Sequence, residues 1–276
     1  MLQQVFMSVP SFPPPLRRLI FAGVALLSGA ASAAPAHADD ESIARRRAEQ
    51  RTTFSDAEIT NGFLKVAFGA ELTLAGRIDR IRKFEGPVRV YVHGRDRPDR
   101  RRQLAAIVAD IRAHVAHLDI AVTPNRKIAN VTVRLVRNSE IRRTIREYFG
   151  RKQADRIQNS LDPQCLSGFR KDETYRIEHA DVILPVDVGD FVFKDCAYEE
   201  LLQALGPIND DTSVPWTMFN DDVQLGFFGI YDQYLLNILY DPRVRPGMTV
   251  AQVRAVLPAV LPTVRAFVAR KSRIRR

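Results

Sequence analysis

The feature that most restricts how this chain can fold is the switching of its hydrophobic period between Val88 and Val186. Val88-Arg89-Val90-Tyr91-Val92 alternates with a period of two and reads as a strand. Pro98 then opens a long amphipathic helix that carries Leu104, Ile107, Val108, Ile111 and Val115 on one stripe. Residues 130–136 read as a second strand, 140–149 as a short helix and 180–186 as a third strand. Strands that alternate with helices must lay those helices on a sheet, so an α+β fold with a mixed sheet and packed helices is expected. With 46% hydrophobic residues in 276, the chain can bury a substantial core.

Flanking segments extend this plan. A helix is expected from Ser55 or Asp56, with Ile59, Phe63, Val66 and Ala67 on its packed face and Gly69 near its end. Asp195 can cap a further helix of about 195–206 that stops at Gly206-Pro207. A helix at 231–240 leads to the turn Asp241-Pro242. Thr249 with Gln252 then forms a capping-box signature for a last helix, in which Pro258 and Pro262 predict kinks or breaks.

The N-terminus reads as an address. Arg17-Arg18 precedes an apolar run from Leu19 to Leu27, and Ala31-Ser32-Ala33 or Ala36-His37-Ala38 offers a cleavage site, the order of a secretory signal peptide. Counting the apolar stretch out to Ala36 gives the alternative of an uncleaved anchor, and no other segment is expected to span a bilayer. The expected organisation is a signal at 1–38, a flexible charged leader at 39–54, the main domain at 55–248, and a C-terminal helix with a basic tail at 249–276. A periplasmic location follows. Two cysteines, Cys165 and Cys196, fit export as one disulfide, worth about 3 kcal/mol on the chain-entropy model. A pair of free thiols is the alternative, and the lack of a CxxC pair argues against a zinc site there.

The first 38 residues hold two arginines and no acids, so the formal charge of +9 falls to +7 in a processed chain. Arg45-Arg46-Arg47 and Arg100-Arg101-Arg102 read as solvated surface. The tail Arg270-Lys271-Ser272-Arg273-Ile274-Arg275-Arg276 suits contact with an anionic membrane surface or cell-wall polymer. Nucleic acid is not expected as a partner outside the cytoplasm.

The chemistry-bearing stretch runs from Glu199 to Asn209 and has the pattern EExxQxxGxxN. It resembles HExxHxxGxxH of the metzincins, metallopeptidases in which two histidines four apart face one side of a helix. In those proteins a glycine turns the chain, a third ligand completes the metal shell, and the glutamate serves as general base. The resemblance implies that Glu199, Gln203 and Asn209 stand at the ligand positions, Glu200 at that of the base and Gly206 at the turn. Met218 and the Leu239-Tyr240 pair resemble the methionine turn and the helix end that follow in metzincins. Asn220 departs from the pattern, because it stands where a tyrosine is expected. Taken alone, the eleven residues also fit the solvated face of an ordinary helix.

From Cys196 to Thr249 the chain is similar to the proteobacterial family called domain of unknown function 2927. The similarity rests on Cys196, Glu199-Glu200-Leu201, Gln203-Ala204-Leu205-Gly206, Asn209-Asp210, Phe219-Asn220-Asp221, Leu239-Tyr240-Asp241-Pro242-Arg243 and Pro246-Gly247-Met248-Thr249. It implies a metzincin-like (zincin) fold and assigns no activity.

A carboxylate with two amides is a poor zinc site, so no zinc cofactor is expected, with an oxygen-ligated divalent metal as the alternative. Glu199 and Glu200 lie about 100° apart around a helix and do not face each other. A two-carboxylate mechanism would need Asp210, Asp221 or Asp222 as its second acid. His114 and His117 could join His93 in a metal site, although histidines at a surface or core edge are the simpler reading. The aromatic segment of Trp216, Phe219, Phe227, Phe228, Tyr231 and Tyr234 reads mainly as core. Three functions follow in order: a degenerate peptidase scaffold that binds a peptide or envelope polymer, a hydrolase using Glu200 as general base, and an envelope structural protein. Oligomeric state is not legible.

Overall fold

β-branched and small apolar residues at alternate positions build the centre of the molecule. Val88 and Val90 on β2 (Val88–Gly94), Val131 and Val133 on β4 (Val131–Val136), and Ala180 and Val182 on β6 (Ile177–Pro185) are at most 1% exposed. The structure, a computed structural model, describes residues 5–6, 35–69, 79–94, 97–151, 154–155, 165–207 and 209–272. Its strands form one sheet in the order β1 (Val5–Phe6), β5 (Leu166–Lys171), β6, β4, β2, β3 (Ile120–Val122).

The five-stranded body of the sheet is mostly parallel. β2 pairs in parallel with β3 (Ile120–Val122) and with β4, and β4 with β6. β5 (Leu166–Lys171) is antiparallel to β6, and the two-residue β1 (Val5–Phe6) pairs with the outer edge of β5. The sequence signals β2, β4 and β6 through their periodicity. β3 is too short and β5 too interrupted by Ser167 and Gly168 to show one.

Helices cover the sheet. α1 (Pro35–Glu49) is followed by α2 (Asp56–Ala67), whose N-cap Ser55 forms a capping box with Glu58. α3 (Pro98–His114) buries the expected stripe of Leu104, Ile107, Val108 and Ile111. α4 (Ile141–Phe149), α5 (Asp190–Ala204), α6 (Ile230–Tyr240) and α7 (Val250–Lys271) follow among the described residues.

Three local expectations are corrected. The charged leader expected at 39–54 is largely the helix α1. Its Ile43 is buried, and its Asp39 carboxylate accepts hydrogen bonds from Asp190 N (2.9 Å) and Phe191 N (3.2 Å), so this distant residue caps α5. The reading of the arginine clusters as solvated surface holds for Arg45, Arg46, Arg47 and Arg102, which are exposed, and fails for Arg100. Arg46 and Arg47 lie over the rings of Phe191 and Phe227, and Arg100 is 4% exposed, donating to Val186 O and to Asp190 Oδ1. Finally, α7 runs unbroken through Pro258 and Pro262, because Val253, Leu257, Val260, Leu261, Val264 and Val268 anchor one stripe in the core.

α7 is also long and apolar enough, by length and composition, to cross a membrane, which departs from the expectation that only the N-terminal run could do so. The predicted signal lies outside the described residues except for Val5–Phe6 and the first turn of α1, as does the tail from 273 to 276. Thr249 caps α7: its hydroxyl accepts from Gln252 N at 3.2 Å, while Gln252 Oε1 accepts from Thr249 N at 2.8 Å. Thr249→Ala is expected to cost about 1 kcal/mol, read as a shift in the urea midpoint with an unchanged slope.

Candidate functional site

α5 starts five residues earlier than the cap expected at Asp195, and every residue from Asp195 to Ala204 is buried. β5 and β6, α1 and α3 all pack against it. The motif therefore does not form a solvated face. Asp195, inside the helix, accepts from Leu225 N (2.8 Å) and Gly226 N (2.7 Å) and pins the loop that leads into α6. Burial pushes its carboxyl up to about 6. The disulfide between Cys165 and Cys196, with Cα atoms 5.9 Å apart, ties the start of β5 to the same helix.

The carboxylate oxygens of Glu199, Asp210 and Asp221 lie within 4.8 Å of one another. They arrive from three segments: the helix, the chain just beyond its glycine turn, and the loop before α6. Gln203, fully buried, sits beside them. Its Nε2 donates to both oxygens of Asp210 at 3.2 and 3.3 Å, and its Oε1 accepts from Ser167 Oγ at 3.4 Å. It holds Asp210 in place rather than turning its carbonyl toward the cluster.

Asn209, the third ligand position by spacing, faces the other way. Its Nδ2 donates to Lys65 O at 2.9 Å and its backbone N–H to Val66 O at 3.2 Å, closing the C-terminal end of α2. Adjacent residues of an extended chain point to opposite sides, so a segment that aims Asp210 at the helix must aim Asn209 away. Asp210, named in the sequence only as an extra acid, takes the place beside Glu199.

Asn220 accounts for the missing tyrosine. It is 2% exposed, donates to Val214 O (3.0 Å) and Thr212 O (3.3 Å), and accepts from Asp222 N (3.0 Å). Together with the bond from Asp211 N to Phe219 O (2.9 Å), it locks the loop that brings Asp210 and Asp221 together. Met218 is buried, and its N–H donates to Asp232 Oδ2 at 3.2 Å. Asp232, completely buried and also bonded by the Thr217 hydroxyl, is pushed up by burial to about 7. Tyr240 donates its hydroxyl to Leu205 O at 2.9 Å and so joins the end of α6 to the end of the motif helix.

Glu200 is 0% exposed, one position around α5 from Glu199. A general base must reach a substrate proton, and in this structure the Glu200 carboxylate lies within the core. The three histidines do not assemble through a helix face either. α3 stops at His114, whose Nδ1 lies 3.0 Å from Asp110 Oδ1, and His117 lies beyond it with φ +61°. The aromatic segment is core as expected, with Phe219, Phe227, Phe228, Tyr231 and Tyr234 all buried.

Fold and site together define an α+β protein with a mostly parallel sheet, in which a helix buried from Asp195 to Ala204 contributes one carboxylate to an all-oxygen cluster. The chain belongs to the family described as Protein of unknown function (DUF2927), whose model matches residues 56–259. No curated protein and no solved structure matches it.

Proposed function

We propose that this is a non-proteolytic, metzincin-like protein of the cell envelope, in which Glu199, Asp210 and Asp221 hold a hard divalent cation and the surrounding surface binds a peptide or envelope polymer. The observation that carries the reading is the convergence of three carboxylates within 4.8 Å from three separate segments. Ionised carboxylates that close repel one another by about 3 kcal/mol per pair at an effective dielectric of 20. A calcium, magnesium or manganese ion offsets that repulsion and accepts carboxylate oxygens, whereas zinc prefers imidazole and thiolate. The residues present do not fit the zinc implied by the metzincin resemblance, and they support no hydrolytic step through it.

The metzincin-like reading draws support from the spacing of Glu199, Gln203 and Gly206, from buried Met218, and from the contact between Tyr240 and the motif helix. Export to the periplasm rests on the signal-like N-terminus, and contact of the basic tail with an anionic membrane surface on its charge alone.

Isothermal titration of the mature protein, stripped of metal, with calcium and manganese tests the cation. One ion per chain is expected, with affinity reduced at least tenfold in Asp221→Asn and in Asp210→Asn. An absence of binding, or identical binding in both variants, would leave the motif helix as a packing element of a structural protein.

A further inference from the structure

α5 presents a second face, made by Lys194 and Tyr198, that looks away from the carboxylate cluster. At about 100° per residue, the pair 194/198 lies about 140° around the helix from the pair 199/203. This face forms one wall of an open cavity of about 530 Å³, flanked by α1 and α3 and by Gly226. The size is in the range of small-molecule sites. α1 lies ahead of the family-matched residues, so one wall of the cavity comes from outside that match.

The lining combines an apolar bed with a cationic rim. Ile43 from α1 and Ile107 from α3 are buried and form the bed. Arg47, Arg102 and Lys194, one from each of the three helices, bring positive charge to the same space. Arg47 is held over the Phe227 ring at 4.8 Å from its centroid, and Lys194 is tethered to Asp40. The acid in the lining, Asp110, is already engaged. It accepts from the Tyr198 hydroxyl at 2.8 Å and lies 3.0 Å from His114 Nδ1. Lys194 shares its charge with Asp40 and Asp110 stays anionic, so three cations face two carboxylates and the rim keeps a small net positive charge.

We infer that this cavity binds a small amphipathic carboxylate, its charged end held by Arg47, Arg102 and Lys194 and its apolar body lying on Ile43 and Ile107. Charge-assisted bonds from guanidinium and ammonium groups supply orientation, and the aliphatic bed supplies area. The ligand class follows from the pairing of cations on three separate helices with an apolar floor, which neither a bare anion nor an uncharged hydrocarbon would use fully.

Decanoate serves as the probe, with decanol as its uncharged counterpart, in isothermal titration against the full mature protein. Decanoate is expected to bind saturably and decanol at least tenfold more weakly. Arg102→Glu and Ala106→Trp change exposed side chains of α3, so both should keep the parent unfolding temperature. The first is expected to lower decanoate affinity at least tenfold by reversing charge, and the second to abolish binding by filling the cavity. Arg102→Gln, which removes only the charge, replaces Arg102→Glu should that variant unfold early. No saturable binding of decanoate overturns the inference. Equal affinity for decanoate and decanol, or loss in Ala106→Trp with none in the Arg102 variants, overturns the assignment to an anion.

Discussion

Gly206→Ala is expected to destabilise the protein by about 3–5 kcal/mol, which puts it among the severe single substitutions. Gly206 has φ +139°, in a region that side chains rarely adopt, and a Cβ built on it would stand 2.2 Å from the carbonyl oxygen of Arg82 and 3.0 Å from Leu239 Cδ2. The conformational strain alone is worth about 1–3 kcal/mol, and the clash adds about 1–3 kcal/mol because the obstructing atom is backbone and cannot rotate away. The stretch of chain it strikes is itself held down: Arg82 is fully buried and donates to Ala67 O at 3.1 Å. Urea denaturation of the variant beside Gly86→Ala makes the comparison. Gly86 has nothing within 4 Å of its Cβ position, so its variant should stay within about 0.5 kcal/mol of the parent. A cost below about 1 kcal/mol at Gly206 would show that the turn can relax, and that glycine is not required there by packing.

The second large effect is a rise in stability on mild acidification. Asp195 and Asp232 are pushed up by burial from 3.8 to about 6 and about 7. A carboxyl whose folded-state pKa is raised favours the folded state when protonated. Its contribution is complete below about pH 4 and is lost as the pH rises through 6 and 7. His114, raised chiefly by its hydrogen bond to Asp110, acts in the same direction. Asp172 and Asp99, held down to about 2, begin to cost stability only in stronger acid. Unfolding free energy in the presence of a chelator should therefore be greater at pH 5 than at pH 7.5, by about 4 kcal/mol on linkage arithmetic. Asp232→Asn should remove more than half of that difference. A flat profile, or one that falls on acidification, would mean that these two carboxylates stay ionised in the folded protein.

Much of the scaffold is legible in the sequence because it depends on period. Val88–Val92 and the stripe from Leu104 to Val115 declare themselves as strand and helix through local spacing, and Ser55/Glu58 and Thr249/Gln252 declare their helix starts through capping chemistry. β5 is harder to see: Ser167 and Gly168 interrupt its pattern, and it becomes a strand by pairing with β6. α1 has a poorly amphipathic, arginine-rich sequence, and its packing depends on partners more than a hundred residues away, including the α5 amides capped by Asp39 and the rings of Phe191 and Phe227.

The site divides in the same way. Residue identity and helical spacing alone determined that Glu199 and Gln203 share one side of a helix, that a glycine ends it, and that no histidine or thiolate set for zinc accompanies them. Only the tertiary structure decided that Asp210 and not Asn209 turns toward Glu199, that Asp221 joins them, and that Glu200 is sealed in the core. Spacing along one helix is a local property. The meeting of three carboxylates depends on the path of two loops, and those paths are set by hydrogen bonds that Asn220 and Gln203 donate to the loops and that Asp195 accepts from Leu225 and Gly226.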